Sequence, residues 1–186
     1  MPTHLDAVAL TPTDAMNRFG LPHAALLSIA LLGAAGTAVA QTAPPTVVVF
    51  PLKNVRNNAQ HDTLSWMFAD SLYSQLAANP EAGAAYTLIS MDDLRDQIIA
   101  QNVDIKSPSY DSDLWKIAGA LGANRAVVGS YMVDNEMAYI EVKVYDVKTL
   151  LFDQQNKAEN LKRPFPEAIT AVPSVVKRII GAVAKP

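Results

Sequence analysis

The chain has 186 residues, with 15 basic and 18 acidic side chains, a formal net charge of -3, 50% hydrophobic residues and no cysteine. A disulfide framework, a zinc-thiolate centre and thiolate catalysis are thereby excluded, as is a long disordered tail. The near-neutral balance lacks the clustered Lys and Arg that phosphate neutralisation requires, so no nucleic-acid partner is expected.

Residues 16–40 read as a signal peptide. Arg18 precedes the apolar run Ala24 to Leu32, too short to span a bilayer, and the small residues Ala38-Val39-Ala40 set cleavage after Ala40. Residues 1–15 carry Asp6 and Asp14 without a Lys or Arg, the wrong charge for an export signal. They are expected to be an upstream extension, with Met16 as the alternative start. No cysteine follows the cleavage point to accept lipid, so the expected product is a soluble periplasmic protein with no stable membrane insertion.

After a short lead at 41–45, residues 46–186 are expected to form one domain. Thr46 to Phe50 is a continuous β-branched run, the pattern of a central strand covered on both faces, and Pro51 stops it. The loop from Lys53 to Gln60 is rich in turn-tolerant Asn. Asp62 is placed to cap a helix with the stripe Leu64, Met67, Phe68, Leu72 and Leu76, ended by Asn79-Pro80. Tyr86 to Ile89 reads as a second strand. Ser90 and Asp93 make a capping box for a helix that turns Met91, Leu94 and Ile98 inward.

A polar connection, Asp104 to Tyr110, leads to a third helix capped by Asp111 or Ser112, with the stripe Leu114, Ile117, Ala118 and Leu121 and a left-handed terminator at Gly122. Ala126 to Val133 is the next strand, turned by Asp134-Asn135-Glu136. From Ala138 to Tyr145 apolar and polar residues alternate, the period of a half-buried antiparallel strand. Leu151 to Ala158 suits an exposed edge strand. Phe165, Ile169, Val172, Val176, Ile179 and Val183 have helical spacing, with a kink expected at Pro173. The sum is an α/β (α+β) fold: a single mixed-sheet sandwich of about five strands with helices packed on it, in the order β-α-β-α-α-β-β-β-α.

The stretch Ile117 to Ser130, with Leu121-Gly122-Ala123 before Ala126-Val127-Val128-Gly129-Ser130, resembles the helix-to-strand passage of TolB amino-terminal-domain-like envelope proteins, including CsgG-like and penicillin-binding-protein-activator-like members. The resemblance runs from Thr46 to about Leu150. It includes Val47 to Leu52 as the opening strand, Leu64 to Leu76 as the first helix and Tyr145-Asp146-Val147-Lys148-Thr149 as a turn in which Leu150 stands where the family has glycine. These motifs specify shape. What they imply is a periplasmic module that docks protein partners in the cell envelope.

No catalytic set is coherent. Gly119, Gly122 and Gly129 run from helix into strand, the reverse of a phosphate-binding fingerprint. Asp92, Asp93 and Asp96, like Asp111 and Asp113, sit at helix starts, where the dipole favours carboxylates, and neither group has a calcium-loop pattern. His61 is the sole histidine after Ala40, which leaves a non-contiguous Ser-His-acid hydrolase as a weakly supported alternative. No cofactor and no metal are expected. The candidate binding residues are Asn54, Arg56 and Asn57, in the loop beyond the first strand where open α/β sheets take ligands, and Tyr139, Glu141, Lys143 and Tyr145 on the polar side of the alternating strand. Tyr and Trp residues off the apolar stripes, among them Trp66, Tyr110, Trp115 and Tyr131, serve equally as interface anchors or as amphipathic core. The expected function is non-catalytic docking to an envelope protein. A subunit of a secretion or surface-structure assembly is the other protein-binding reading, and a homo-oligomer is compatible with both.

Overall fold

Thr46–Val49 forms β1, whose three valines are fully buried, as a strand covered on both faces requires. The computed structural model describes residues 43–185; the expected extension, signal peptide and cleavage point lie outside them. The other strands are β2 (Lys53–Asn54), β3 (Thr87–Leu88), β4 (Arg125–Asp134), β5 (Met137–Asp146) and β6 (Ala158–Pro164). They make one mixed sheet of order β3-β1-β4-β5-β6, with β2 pairing β4 beyond the end of β1. β3 and β4 each pair with β1, and β2 with β4, in parallel, and β4, β5 and β6 form an antiparallel meander.

The helices are α1 (Thr63–Ala77), α2 (Met91–Ala100), α3 (Tyr110–Ala120) and α4 (Val172–Val183). From β1 the chain crosses to β3 on one side, and from β3 it crosses back to β4 on the other. Right-handed crossovers then place α1 and α3 on opposite faces. Accordingly Phe68 of α1 packs on Tyr131, while Trp115 of α3 packs on Tyr145, from the alternate side of the meander. The α/β mixed-sheet fold and the order of its other elements agree with the sequence reading, with the two-residue β2 added inside the expected loop.

Several local expectations are corrected. Asp62 already has helical φ and ψ and makes no cap hydrogen bond, because a 3₁₀ turn at Ala59–His61 leads straight into α1. The capping role passes to Asn58, whose side chain accepts from Gln60 N–H at 3.1 Å. Met67 is exposed; the buried stripe of α1 is Leu64, Phe68, Leu72 and Leu76, with Ser65 and Ala69 beside it. α3 begins at Tyr110, ahead of the expected caps. The edge strand is Ala158–Pro164, not Leu151 to Ala158, of which Phe152 makes only an isolated bridge to Tyr145. Pro173 does not kink a helix: it lies in the first turn of α4, where its missing N–H is no loss, after a 3₁₀ segment at Phe165–Ala171.

Other local expectations hold. Ser90 accepts from Asp93 N–H at 3.0 Å, Gly122 closes α3 with φ +66°, and Asn135 and Glu136 turn the β4–β5 hairpin with positive φ.

The turn after β5 holds Leu150 in the left-handed region. Asp146 accepts from Thr149 N–H and Oγ, and Leu150 N–H returns to the Asp146 carbonyl at 2.8 Å, which forces Leu150 to φ +58°. A leucine in that region clashes with its own backbone by about 1–2 kcal/mol, partly offset because glycine is freer when unfolded. Leu150→Gly is expected to raise stability by about 0.5–1 kcal/mol, read as a higher urea midpoint at unchanged slope; a lower midpoint would show that the exposed leucine makes a contact outweighing the strain.

Candidate functional site

The meander pairs Val128 with Lys143, Ser130 with Glu141 and Met132 with Tyr139, so these six side chains share one face of the sheet. The other face of β5 is Ala138, Ile140, Val142 and Val144, all buried against the helical layer that contains α4. On the first face α3 covers only the end near Ala126, where Trp115 meets Tyr145 at 5.2 Å. The rest is half exposed and forms an open groove of about 550 Å³. Lys53 and Val55 flank it on one side, Asp111 closes its end, and Val128, Gly129, Ser130, Glu141, Lys143 and Tyr145 make its floor.

Charge on this face is organised around Lys143. Its ammonium lies 3.4 Å from Glu159 and 3.9 Å from Glu141, and 5.0 Å above the ring of Phe152, which packs on Tyr145 in turn. Lys157 pairs with Glu159 at 2.8 Å, and this hydrogen bond is the chief reason the Glu159 carboxyl is held below its usual range. Lys53 pairs with Asp111 at 2.6 Å across the groove mouth. Lys162 lies over the ring of Tyr139 at 5.0 Å. Exposed ion pairs of this kind contribute little to stability, about 0–1 kcal/mol each. They do place alternating charges and flat rings in fixed positions.

A second concavity, of about 340 Å³, lies beyond the carboxyl end of β1, on the sheet face opposite Lys53 and Ser130. Asn54, Asn57, Asp62, Ser65 and Trp66 line it from β2 and the start of α1, and Ile98, Val103, Asp104, Ile105 and Lys106 line it from the end of α2 and the connection to α3. Asn54 and Ser65 are the buried polar side chains among the described residues, 5% and 4% exposed, and both lie here. Ser65 Oγ is 3.2 Å from the Tyr131 hydroxyl, which donates to the His61 carbonyl at 2.7 Å. The Asp62 carboxyl accepts from Lys106 at 2.6 Å and from Asn54 Nδ2 at 3.0 Å; Lys106 first and Asn54 second hold it below the usual carboxylate range.

The structure thus separates the candidate residues into two places. Glu141, Lys143 and Tyr145 meet in the sheet groove with Tyr139 farther along the same face, whereas Asn54 and Asn57 line the cavity. Arg56 lines neither; its guanidinium pairs with Asp134 at 3.6 Å. Of the cavity residues, Asp62 is read from the sequence only as a helix cap and Trp66 as an interface anchor or core residue, while Ile105 and Lys106 escape sequence reasoning, although Val103 and Ile105 are conspicuous apolar residues in an otherwise polar connection.

His61 packs on Phe165 with ring centroids 4.3 Å apart. Its buried Nδ1 has no hydrogen-bond partner among the described residues, and its ring bonds no Ser or Thr hydroxyl there, so this geometry assembles no nucleophile-base pair for the hydrolase alternative. Among the described residues no group of His, Asp and Glu is arranged to hold a metal ion, and no helix is long and apolar enough to cross a membrane.

No family model matches the chain, which leaves the TolB-like and CsgG-like resemblance without support. No curated protein matches it either. Solved structures with a similar backbone include LpoB from Escherichia coli, at 17% identity over 85% of this chain and 84% of that one with a TM-score of 0.49. Its C-terminal domain, also from Escherichia coli, is similar at 20% identity over 68% of this chain and 86% of that one, with a TM-score of 0.46. Lipoprotein GNA1162 from Neisseria meningitidis is similar at 12% identity over 75% and 99%, with a TM-score of 0.49. Likenesses of this strength assign neither family nor partner, so a function has to be argued from the residues of this chain.

Proposed function

We propose that the protein is an exported, non-catalytic module of the cell envelope that docks another envelope protein through the open face of its meander. The observation that carries this reading is the half-exposed groove itself: a sheet face left uncovered by helices, floored by Tyr145, Glu141 and Lys143 and flanked by Lys53 and Val55. On such a face the Tyr145 ring supplies contact area, and the fixed charges supply orientation and selectivity. The compartment is the one that the signal-peptide pattern at residues 16–40 implies.

The test is site-specific photocrosslinking in cells. A photoreactive residue at Tyr139 or Glu141 is expected to give one discrete heterologous adduct in the periplasmic fraction, while the same residue at Ile99, an exposed position on α2 outside the groove lining, gives none. Lys143→Glu is expected to reduce that adduct at least tenfold by putting a third carboxylate beside Glu141 and Glu159. Equal adducts from Ile99, or only self-adducts from the groove, overturn the proposal.

A further inference from the structure

We infer that the cavity beside Asn54 binds a primary ammonium group carried on an aliphatic stem. This inference is independent of the sheet groove and rests on the orientation of one amide. Asn54 Nδ2 donates to the Asn58 carbonyl and to the Asp62 carboxylate, both at 3.0 Å. Two acceptors fix the NH₂ end of the amide, and its carbonyl end is therefore the one left over. Asn54 is 95% buried by its 5% exposure, yet Oδ1 accepts no hydrogen bond among the described residues. Oδ1 is not sealed from solvent, and an acceptor open at a cavity wall takes its hydrogen bond from what enters the cavity.

The walls and the charge select the rest of the ligand. Trp66, Ile98, Val103 and Ile105 present apolar surface that suits a methylene chain. The lining has two carboxylates, Asp62 and Asp104, against one ammonium, Lys106, a balance that attracts a cation and repels an anion. The chain itself already demonstrates the fit: Lys106 Nζ sits 2.6 Å from Asp62 Oδ2, so the position is one in which an ammonium on a four-carbon stem is held. Lys106 comes from an exposed connection and is itself more than half exposed, so it can yield the carboxylate to an incoming ammonium. The volume is within the range of small-ligand sites. The same head and stem occur in a free alkylamine and in a lysine side chain of a peptide.

The test uses the indole N–H resonance of Trp66, with that of Trp115 on the other sheet face as the internal control. Titration with n-hexylammonium is expected to shift Trp66 saturably and leave Trp115 unmoved; hexanoate is expected to give no saturable shift, and hexanol to bind at least tenfold more weakly. Lys106→Met, which removes the resident cation, is expected to tighten hexylammonium about tenfold, and Asp62→Asn to weaken it at least tenfold while keeping the contact to Asn54. Nα-acetyl-lysine methylamide distinguishes the sources: tighter binding than hexylammonium assigns a peptide lysine, weaker binding a free amine. Equal binding of hexanoate or hexanol, or no saturable shift in either the natural protein or Lys106→Met, overturns the inference.

Discussion

Gly129→Ala is expected to destabilise the protein by about 2–3 kcal/mol, and Gly129→Val to prevent folding. Gly129 lies opposite Val142 in the β4–β5 ladder. A Cβ added there would stand 2.4 Å from the Glu141 carbonyl oxygen, 2.9 Å from Val142 Cγ2 and 3.1 Å from Leu52 Cγ. A flexible side chain can swing away from such a contact, but a carbonyl held in a sheet cannot move without parting the strands. The same substitution at Gly119 meets nothing within 4 Å and lies inside α3, so Gly119→Ala is expected to stabilise by about 0.5–1 kcal/mol. Urea unfolding of the two variants gives opposite displacements of the midpoint. A Gly129→Ala midpoint equal to that of the natural protein would show that β4 and β5 have slack at this point.

The meander was readable because a half-buried strand repeats every two residues, and Ala138 to Tyr145 keeps that period without a break. β6 was displaced in the sequence reading because its buried residues, Ala158 and Leu161, are three apart. Such spacing suggests a helix; here a bulge accounts for it, with Asn160 at φ +58° and the register shifting between Ile140 and Val142. Periodicity carries no record of a bulge. The groove was half legible, since its β5 residues lie on one side of an alternating strand, but Lys53, Val55 and Asp111 reach it only through the β2–β4 pairing and the docking of α3. The cavity was least legible. Asp62 has the position of a helix cap, and only the fold brings Lys106 and Asn54 to its carboxylate. A local pattern cannot show a contact between residues so far apart in the chain.

The tyrosines give the second large expected effect, a steep loss of stability above pH 10. Tyr86, Tyr110 and Tyr131 are at most 1% exposed. Each donates its hydroxyl to a backbone carbonyl: Tyr86 to Leu76 at 2.7 Å, Tyr110 to Pro51 at 2.9 Å and Tyr131 to His61 at 2.7 Å. Burial pushes all three phenols above their ordinary value of 10.0. The unfolded chain therefore releases these protons first. Their contribution is intact below pH 10 and is lost as pH rises toward the folded values, by up to about 1.4 kcal/mol per pH unit for each tyrosine. With three acting together, the unfolding free energy is expected to fall more steeply above pH 10 than a single buried tyrosine would make it. Tyr110→Phe separates the two parts of this effect. At pH 7 it is expected to cost about 1–3 kcal/mol, because the Pro51 carbonyl, at the break between β1 and β2, loses its buried donor. Above pH 10 it is expected to shallow the fall, since one of the three titrating groups is gone. Unfolding free energies of the two proteins from pH 7 to 11 measure both parts; parallel curves above pH 10 would mean that the Tyr110 phenol exchanges its proton without opening the fold.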